Sequence, residues 1–253
     1  MDWKDLLEED DCRFFRENIS LLEEQVHHRL PHAREAAGVL SALRCVPRHF
    51  FVHPEYKTLA YSDNAFPTWN GQTTAAPSVI ALMIHLAGIR SGSRVLEIGT
   101  GTGYQAAVLA EMGASVFTVE LDPFLARRAA GILEELGYRR PGIAGQKPCD
   151  KDALRLYSRI HREFPHRGDI RLFTGNGREG LPEIGPFSSI IVAAAAANIE
   201  ELAPLADQLA PGGRMAAPVG GGEFQSLKVF FREGKRLHLL EEEATSVSFV
   251  RLR

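Results

Sequence analysis

The sequence predicts an α/β protein with a mostly parallel sheet covered by helices on both faces, and three observations carry that prediction. From Arg94 onward short apolar runs alternate with helical patterns, the order that gives parallel strands joined by crossover helices. A glycine-rich turn, Gly99-Thr100-Gly101-Thr102-Gly103, lies between the first of those strands and the first of those helices. Toward the C-terminus the intervening helices disappear, which predicts an antiparallel closing region.

Residues 12–46 carry apolar positions at helical spacing, Phe14, Phe15, Ile19 and Leu22, then Val39, Leu40 and Leu43, with Pro31 separating two helices. Residues 47–77 are dense in proline, aromatics and turn residues, among them Phe50, Phe51, Tyr56, Phe66 and Trp69. A long irregular stretch of that composition reads as a binding loop. Residues 78–90 return to helix, with Val79, Leu82, Met83 and Leu86 on one face. Then RVLEIG (94–99) reads as a buried strand, Tyr104 to Met112 as a helix, and SVFTVE (115–120) as the next strand. A helix follows from Pro123 to Leu136, capped by Asp122, with Pro123 in the first turn where its missing N–H has no partner to lose. IRLF (170–173), SSIIVA (188–193) and RMAAPV (214–219) continue the sheet, with a helix near 200–210. Two strands, SLKVFF and SVSFVRL, flank a Gly-Lys-Arg turn at 234–236. Residues 139–169, a glycine-, proline- and lysine-rich loop followed by a charged helix, read as an insertion whose helix at 151–164 is a solvated surface element, with partner binding as the alternative. The organisation expected is N-terminal helices and a binding loop in 1–90, then the sheet domain in 91–253, packed as one compact unit.

Composition narrows the function. A chain of 253 residues is long enough for one substantial α/β domain, and its formal charge of −3 leaves no electrostatic footprint for nucleic acid or an anionic membrane. Cys12, Cys45 and Cys149 form no Cys-x-x-Cys pair, which argues against a disulfide framework or a zinc site. The acidic start, MDWKDLLEEDD, has no signal-peptide core, and no apolar run reaches the ~18 residues a membrane helix needs. A cytoplasmic location is the expectation. His27, His28 and His32 cluster without a carboxylate at ligand spacing, so no metal is expected. His49 and His53 flank an aromatic pair and read as local packing or loop hydrogen bonds, with substrate contact as the alternative.

The chemistry concentrates around the glycine turn. Its glycines allow a tight bend and close approach of a ligand, while the helix that follows offers unpaired N–H donors. Gly101-x-Gly103-x-x-Ala106 also satisfies one form of the nicotinamide-cofactor fingerprint, so the turn alone does not choose a cofactor. Glu97, inside the motif, is placed to hold a cationic amino group such as that of a methionine moiety. Glu120 ends the next strand, where an acid accepts both hydroxyls of a ribose. Gly175-Asn176-Gly177 follows the third strand and is placed to face an adenine.

Ile98 to Ala107 (IGTGTGYQAA) resembles the protein-L-isoaspartate O-methyltransferase family, which repairs damaged aspartyl and asparaginyl residues. The likeness extends to Val46-Pro47-Arg48-x-x-Phe51-Val52, to Tyr61-x-Asp63 and to Gly71-Gln72-Thr73. It continues at Leu209-x-Pro211-Gly212-Gly213-Arg214, Pro218-Val219-Gly220 and Val247-x-Phe249-Val250, and covers roughly 36–138 and 170–253. The resemblance implies a Rossmann-like methyltransferase fold that uses S-adenosylmethionine, held by Glu97, Gly99, Thr100, Gly101, Thr102, Gly103, Glu120, Leu121, Asn176 and Gly177. It implies an isoaspartyl peptide or protein as acceptor, bound by Tyr61, Gln72, Thr73, Pro218 and Val219, with Thr74 and Ala75 at the reacting position. Three residues depart from the family pattern. The family serine in Gln-Thr-Ile-Ser is Ala75, its Gly-Asp-Gly is Gly175-Asn176-Gly177, and its C-terminal arginine is Ser248.

Methyl transfer to a carboxylate needs no general base, because a carboxyl with pKa near 4 is already ionised at neutral pH. The tasks left to the protein are alignment and exclusion of water, which agrees with the lack of an acid/base pair. The departures keep two rival functions open: a related carboxyl methyltransferase with another acceptor, and a cofactor-binding module that has lost catalysis. A nicotinamide oxidoreductase has only the first turn in its favour.

Overall fold

The computed structural model describes residues 3–30, 37–138, 168–221, 224–234, 236–240 and 246–252. The 151–164 helix, His32 and most of the 139–169 insertion lie outside them. The described helices are α1 (Trp3–Arg29), α2 (Ala37–Leu43), α3 (Pro77–Leu86), α4 (Tyr104–Glu111), α5 (Pro123–Glu135) and the single turn α6 (Ala203–Ala206). The strands are β1 (Arg94–Ile98), β2 (Ser115–Glu120), β3 (Ile170–Thr174), β4 (Phe187–Val192), β5 (Leu209–Gly221), β6 (Phe224–Glu233), β7 (Arg236–Leu240) and β8 (Ser246–Val247).

They form one sheet in the order β3-β2-β1-β4-β5-β6-β7, with β8 also on β6. The first five pair in parallel, while β6, β7 and β8 are antiparallel. The strand order reverses at β1, whose neighbours are β2 and β4. A crevice opens at such a reversal beyond the carboxyl ends of the strands, because the flanking connections leave to opposite faces.

Central strands buried on both faces are mostly apolar, and β1, β2 and β4 are so, with Glu97, Thr118 and Ser189 among the buried polar exceptions. One face packs Val95, Val116 and Ile191 against α1–α4; the other packs Leu96, Ile98, Phe117 and Val119 with Leu205 and Phe230. In α1 the buried stripe is Phe15, Leu22 and Val26, with Ile19 packed beside it, a spacing that follows the helical period. Asp122 caps α5 as expected, its carboxylate accepting from the Phe124 and Leu125 amides.

Four expectations need correction. α3 is not amphipathic: Ile80, Ala81, Leu82, Met83 and Ile84 are all buried, because α1, α2 and β5 pack around it. The helix near 200–210 is only one turn, preceded by a 3-10 turn, and β5 already begins at Leu209. β5 starts five residues earlier than RMAAPV, and its pairing with β4 shifts across Pro211-Gly212-Gly213, from Phe187↔Leu209 to Ser189↔Arg214. The C-terminal hairpin partner of β6 is Arg236–Leu240 rather than SVSFVRL, of which Ser246–Val247 alone forms a strand.

Candidate active site

A cleft of about 590 Å³ lies where the strand order reverses. Its floor comes from four carboxyl ends: Gly99 to Thr102 after β1, Glu120 to Asp122 after β2, Gly177 after β3, and Ala193 and Ala194 after β4. Its other wall is the irregular loop, Asn70 to Ala75, and the C-terminal segment Ser248 to Leu252 crosses the mouth.

The glycine turn is fastened from below. Gly101 N–H donates to Glu120 Oε2 at 2.8 Å, and Asp122 N–H donates to Glu120 Oε1 at 3.0 Å. Gly101 holds φ +55°, and the space beyond its α-carbon is open to the cleft, so a side chain there would be strained and would intrude on a ligand. Gly177 is required by contact instead: a Cβ would lie 2.5 Å from the Ile98 side chain.

Glu97 is fully buried and does not line the cleft. Its Oε2 accepts from Thr118 Oγ1, whose oxygen lies 2.6 Å from Thr100 Oγ1, so the carboxyl is linked to the turn through two hydroxyls. Burial pushes the carboxyl up to about 8, opposed by the hydrogen bond from Thr118 and by the neighbouring Gln105 side chain. Gln105, unlike Glu97, does line the cleft.

The loop is braced against α5. Asn70, in the left-handed region at φ +56°, donates to Asp122 Oδ2 at 2.6 Å, while Asp122 Oδ1 caps the helix. The Asn70 amide, and after it the Phe124 N–H, hold the Asp122 carboxyl below its usual range. The Arg128 guanidinium stacks 3.5 Å from the centre of the Trp69 ring. Within the loop, Thr74 N–H donates to Phe66 O, and Thr74 Oγ1 accepts from Phe66 N–H. That hydroxyl is committed to the loop's own backbone, although Thr74 and Ala75 both border the cleft.

The structure therefore brings together Gln72, Thr73, Thr74, Ala75, Gly99, Thr100, Gly101, Thr102, Glu120, Leu121 and Gly177 around one space. Gly103 caps α4 just behind it. Tyr61 does not line it; it is buried below the loop, its hydroxyl 2.7 Å from His49 Nδ1. Asn176 is turned into a local bend, accepting from Arg178 N–H and donating to Glu179, and also does not line it. Pro218 and Val219 stand one strand beyond, joined to the floor through Ala196 N–H, which donates to Pro218 O. Asn70, Asp122, Gln105 and Ala193-Ala194 were missed as lining residues. The Asn70-Gly71 dipeptide, a turn signal, was the available clue for the first. His49 packs on Phe14, Phe50 and Tyr61 as a local aromatic cluster, and no group of metal-ligating side chains occurs among the described residues.

Five parallel strands continued by antiparallel ones, with a glycine turn after the first strand and an acid closing the second, are of the Rossmann-like class to which the S-adenosylmethionine-dependent methyltransferases belong. The family model described as protein-L-isoaspartate (D-aspartate) O-methyltransferase matches residues 17–253, and the chain belongs to that family. It is 44% identical over 200 residues to a protein-L-isoaspartate O-methyltransferase of Gloeobacter violaceus, covering 79% of this chain and 81% of that one. A namesake from Methanoculleus marisnigri is 39% identical over 230 residues, covering 90% and 88%. Among solved structures, a protein-L-isoaspartate O-methyltransferase superposes with a TM-score of 0.67 at 22% identity, covering 94% of this chain and 65% of that one. A Plasmodium falciparum structure, described as a beta-aspartate methyltransferase in complex with S-adenosyl-L-homocysteine, gives 0.65 at 20%, covering 93% and 98%. At those identities the structural likeness shows the fold.

Proposed function

We propose that the chain transfers a methyl group from S-adenosylmethionine to the carboxylate of L-isoaspartyl residues in damaged peptides and proteins, and of D-aspartyl residues as the family description includes. The observation that carries this reading is the joining of the glycine turn, Glu120 and the 70–75 loop around a single cleft. Its volume falls within the range of small-molecule sites, about 300–1,000 Å³. No helix among the described residues is long and apolar enough to cross a membrane, and a cytoplasmic location suits this reading.

The residues present fit the cofactor. Glu120 keeps free lone pairs on both oxygens beyond the two it uses, enough to accept ribose hydroxyls. The open space above Gly101 lets a ligand reach the backbone. When bound, the cofactor supplies an electrophilic methyl on a sulfonium; the acceptor oxygen forms the new bond to carbon as the carbon–sulfur bond breaks, and no proton moves. Leu121, Thr100, Thr102 and Gly177 shape the cofactor side of the cleft. Gln72, Thr73, Thr74 and Ala75 present a peptide edge to the acceptor, with Tyr61 supporting the loop from below. Pro218 and Val219 extend the acceptor surface along β5. Holding the two reactants in line supplies the larger part of the rate, so turnover does not require the serine hydroxyl that Ala75 lacks. Purified protein incubated with methyl-labelled S-adenosylmethionine and an isoaspartyl peptide tests the reading. Base-labile label in the peptide is the expected result, and binding of NAD but not S-adenosylhomocysteine would refute it.

A further inference from the structure

Arg48, in the Val-Pro-Arg segment ahead of the loop, is 0% exposed, yet its hydrogen bonds go to main-chain carbonyls rather than to an acid. Nη1 donates to Ala60 O at 2.8 Å and Ser62 O at 3.0 Å; Nη2 donates to Asn64 O at 2.7 Å and Ala75 O at 3.3 Å. These acceptors lie at the beginning and the end of the 60–75 loop. The guanidinium carbon lies 5.2 Å from the Phe66 ring centre and 5.5 Å from that of Tyr104, which lines the cofactor cleft. Burying a guanidinium is costly, and rings plus carbonyl dipoles offset that cost here with the nearby Asp63 charge. An arginine spent on one carboxylate fixes one partner. Spread over four carbonyls, it fixes the path of a backbone that has no sheet or helix to define it.

We propose that Arg48 is the positioning residue of the acceptor site: it gathers the two ends of the 60–75 loop and holds the Ala75 peptide from behind, so that the 72–75 edge faces the cleft. The cofactor side is held chiefly without it, because Glu120 fastens the glycine turn and Arg48 reaches that side only through the Tyr104 ring. Lysine at this position keeps the charge but has three donors on one atom and cannot span carbonyls that two nitrogens now reach.

The test compares wild type with Arg48→Lys and Arg48→Met in peptide methylation, calorimetry with S-adenosylhomocysteine, and hydrogen exchange. The inference rests on the methyl-transfer reading for its kinetic arm alone. The KM for an isoaspartyl peptide should rise about tenfold in the lysine variant and further in the methionine variant, with S-adenosylhomocysteine affinity held within about twofold. Amides of 60–75 should exchange faster while those of 94–120 keep their protection. If the methionine variant does not fold, the lysine variant decides. Equal loss of peptide and cofactor binding, or unchanged exchange in 60–75, would overturn the proposal. A wild type that binds cofactor yet methylates no isoaspartyl peptide would refute the acceptor reading, and exchange would still decide the role of Arg48.

Discussion

Replacing Glu120 by glutamine changes one atom and should disable the cofactor side of the cleft. Both carboxylate oxygens are engaged, Oε2 by Gly101 N–H at 2.8 Å and Oε1 by Asp122 N–H at 3.0 Å. A carboxylate satisfies two donors because both oxygens accept; an amide has one oxygen and must turn its NH₂ toward one of the two N–H groups. Glu120 is 7% exposed, so water cannot fully replace the lost acceptor. One donor left unpaired costs about 1–3 kcal/mol, and the bond that survives loses its charge assistance, roughly half its strength. On the proposed cofactor reading, the ribose hydroxyls lose the same charged acceptor. Glu120→Gln should therefore weaken S-adenosylhomocysteine binding by about 10- to 100-fold and lower the thermal midpoint by about 2–8 °C. Calorimetric titration and a melting curve measure both. Wild-type affinity in the glutamine variant would refute the reasoning, because it would mean that neither the turn nor the ribose depends on that carboxylate.

Three further substitutions probe the rest of the site. Ala75→Ser should preserve or raise turnover on isoaspartyl peptides in single-turnover assays, since the position borders the cleft and a hydroxyl adds about 1–3 kcal/mol of acceptor contact at most; a clear loss would show that the site has closed around the methyl group. Glu97 has a folded-state pKa raised to about 8 from 4.5, so the stability its neutral form contributes is complete below about 4.5 and is lost as pH rises through about 8. Glu97→Gln should flatten that decline in the pH dependence of the melting temperature, and parallel curves for the two proteins would contradict the buried neutral carboxyl. Gly177→Ala places a Cβ 2.5 Å from the Ile98 side chain, and denaturant unfolding should show a loss of about 1–3 kcal/mol; an unchanged midpoint would mean that the β3 connection gives way freely.

Local signals in the sequence reached far in the sheet and less far in the loop. β2 and the start of α5 were legible to the residue, because the apolar run, Asp122 and Pro123 act within a few positions of one another. The glycine turn was legible for the same reason. The mixed C-terminal pairing was not, since it rests on contact with β6: Arg236-Leu237-His238-Leu239 alternates polar and apolar residues, but the strand is short and largely exposed on both faces. The early start of β5 was hidden because Pro211-Gly212-Gly213 breaks its apolar pattern, and the strand runs on through that register shift. On the cofactor side Glu120 could be read from its place at a strand end, whereas the buried position of Glu97 depends on Thr118, 21 residues away. The 60–75 loop is held by contacts of still longer reach, Arg48 to Ala75 across 27 residues and Asn70 to Asp122 across 52. Such bonds leave no period, so the sequence could place the loop near the chemistry without showing what holds it.

The acceptor itself is tested most directly by single-turnover methyl transfer at saturating S-adenosylmethionine, with two peptides identical except that one carries an isoaspartyl linkage and the other a normal aspartyl residue. The account predicts base-labile methyl ester on the isoaspartyl peptide and at least about tenfold less on its aspartyl twin, the discrimination expected when one misplaced backbone atom spoils the alignment. Equal labelling of the two peptides, or none on either from protein that binds S-adenosylhomocysteine, would contradict it.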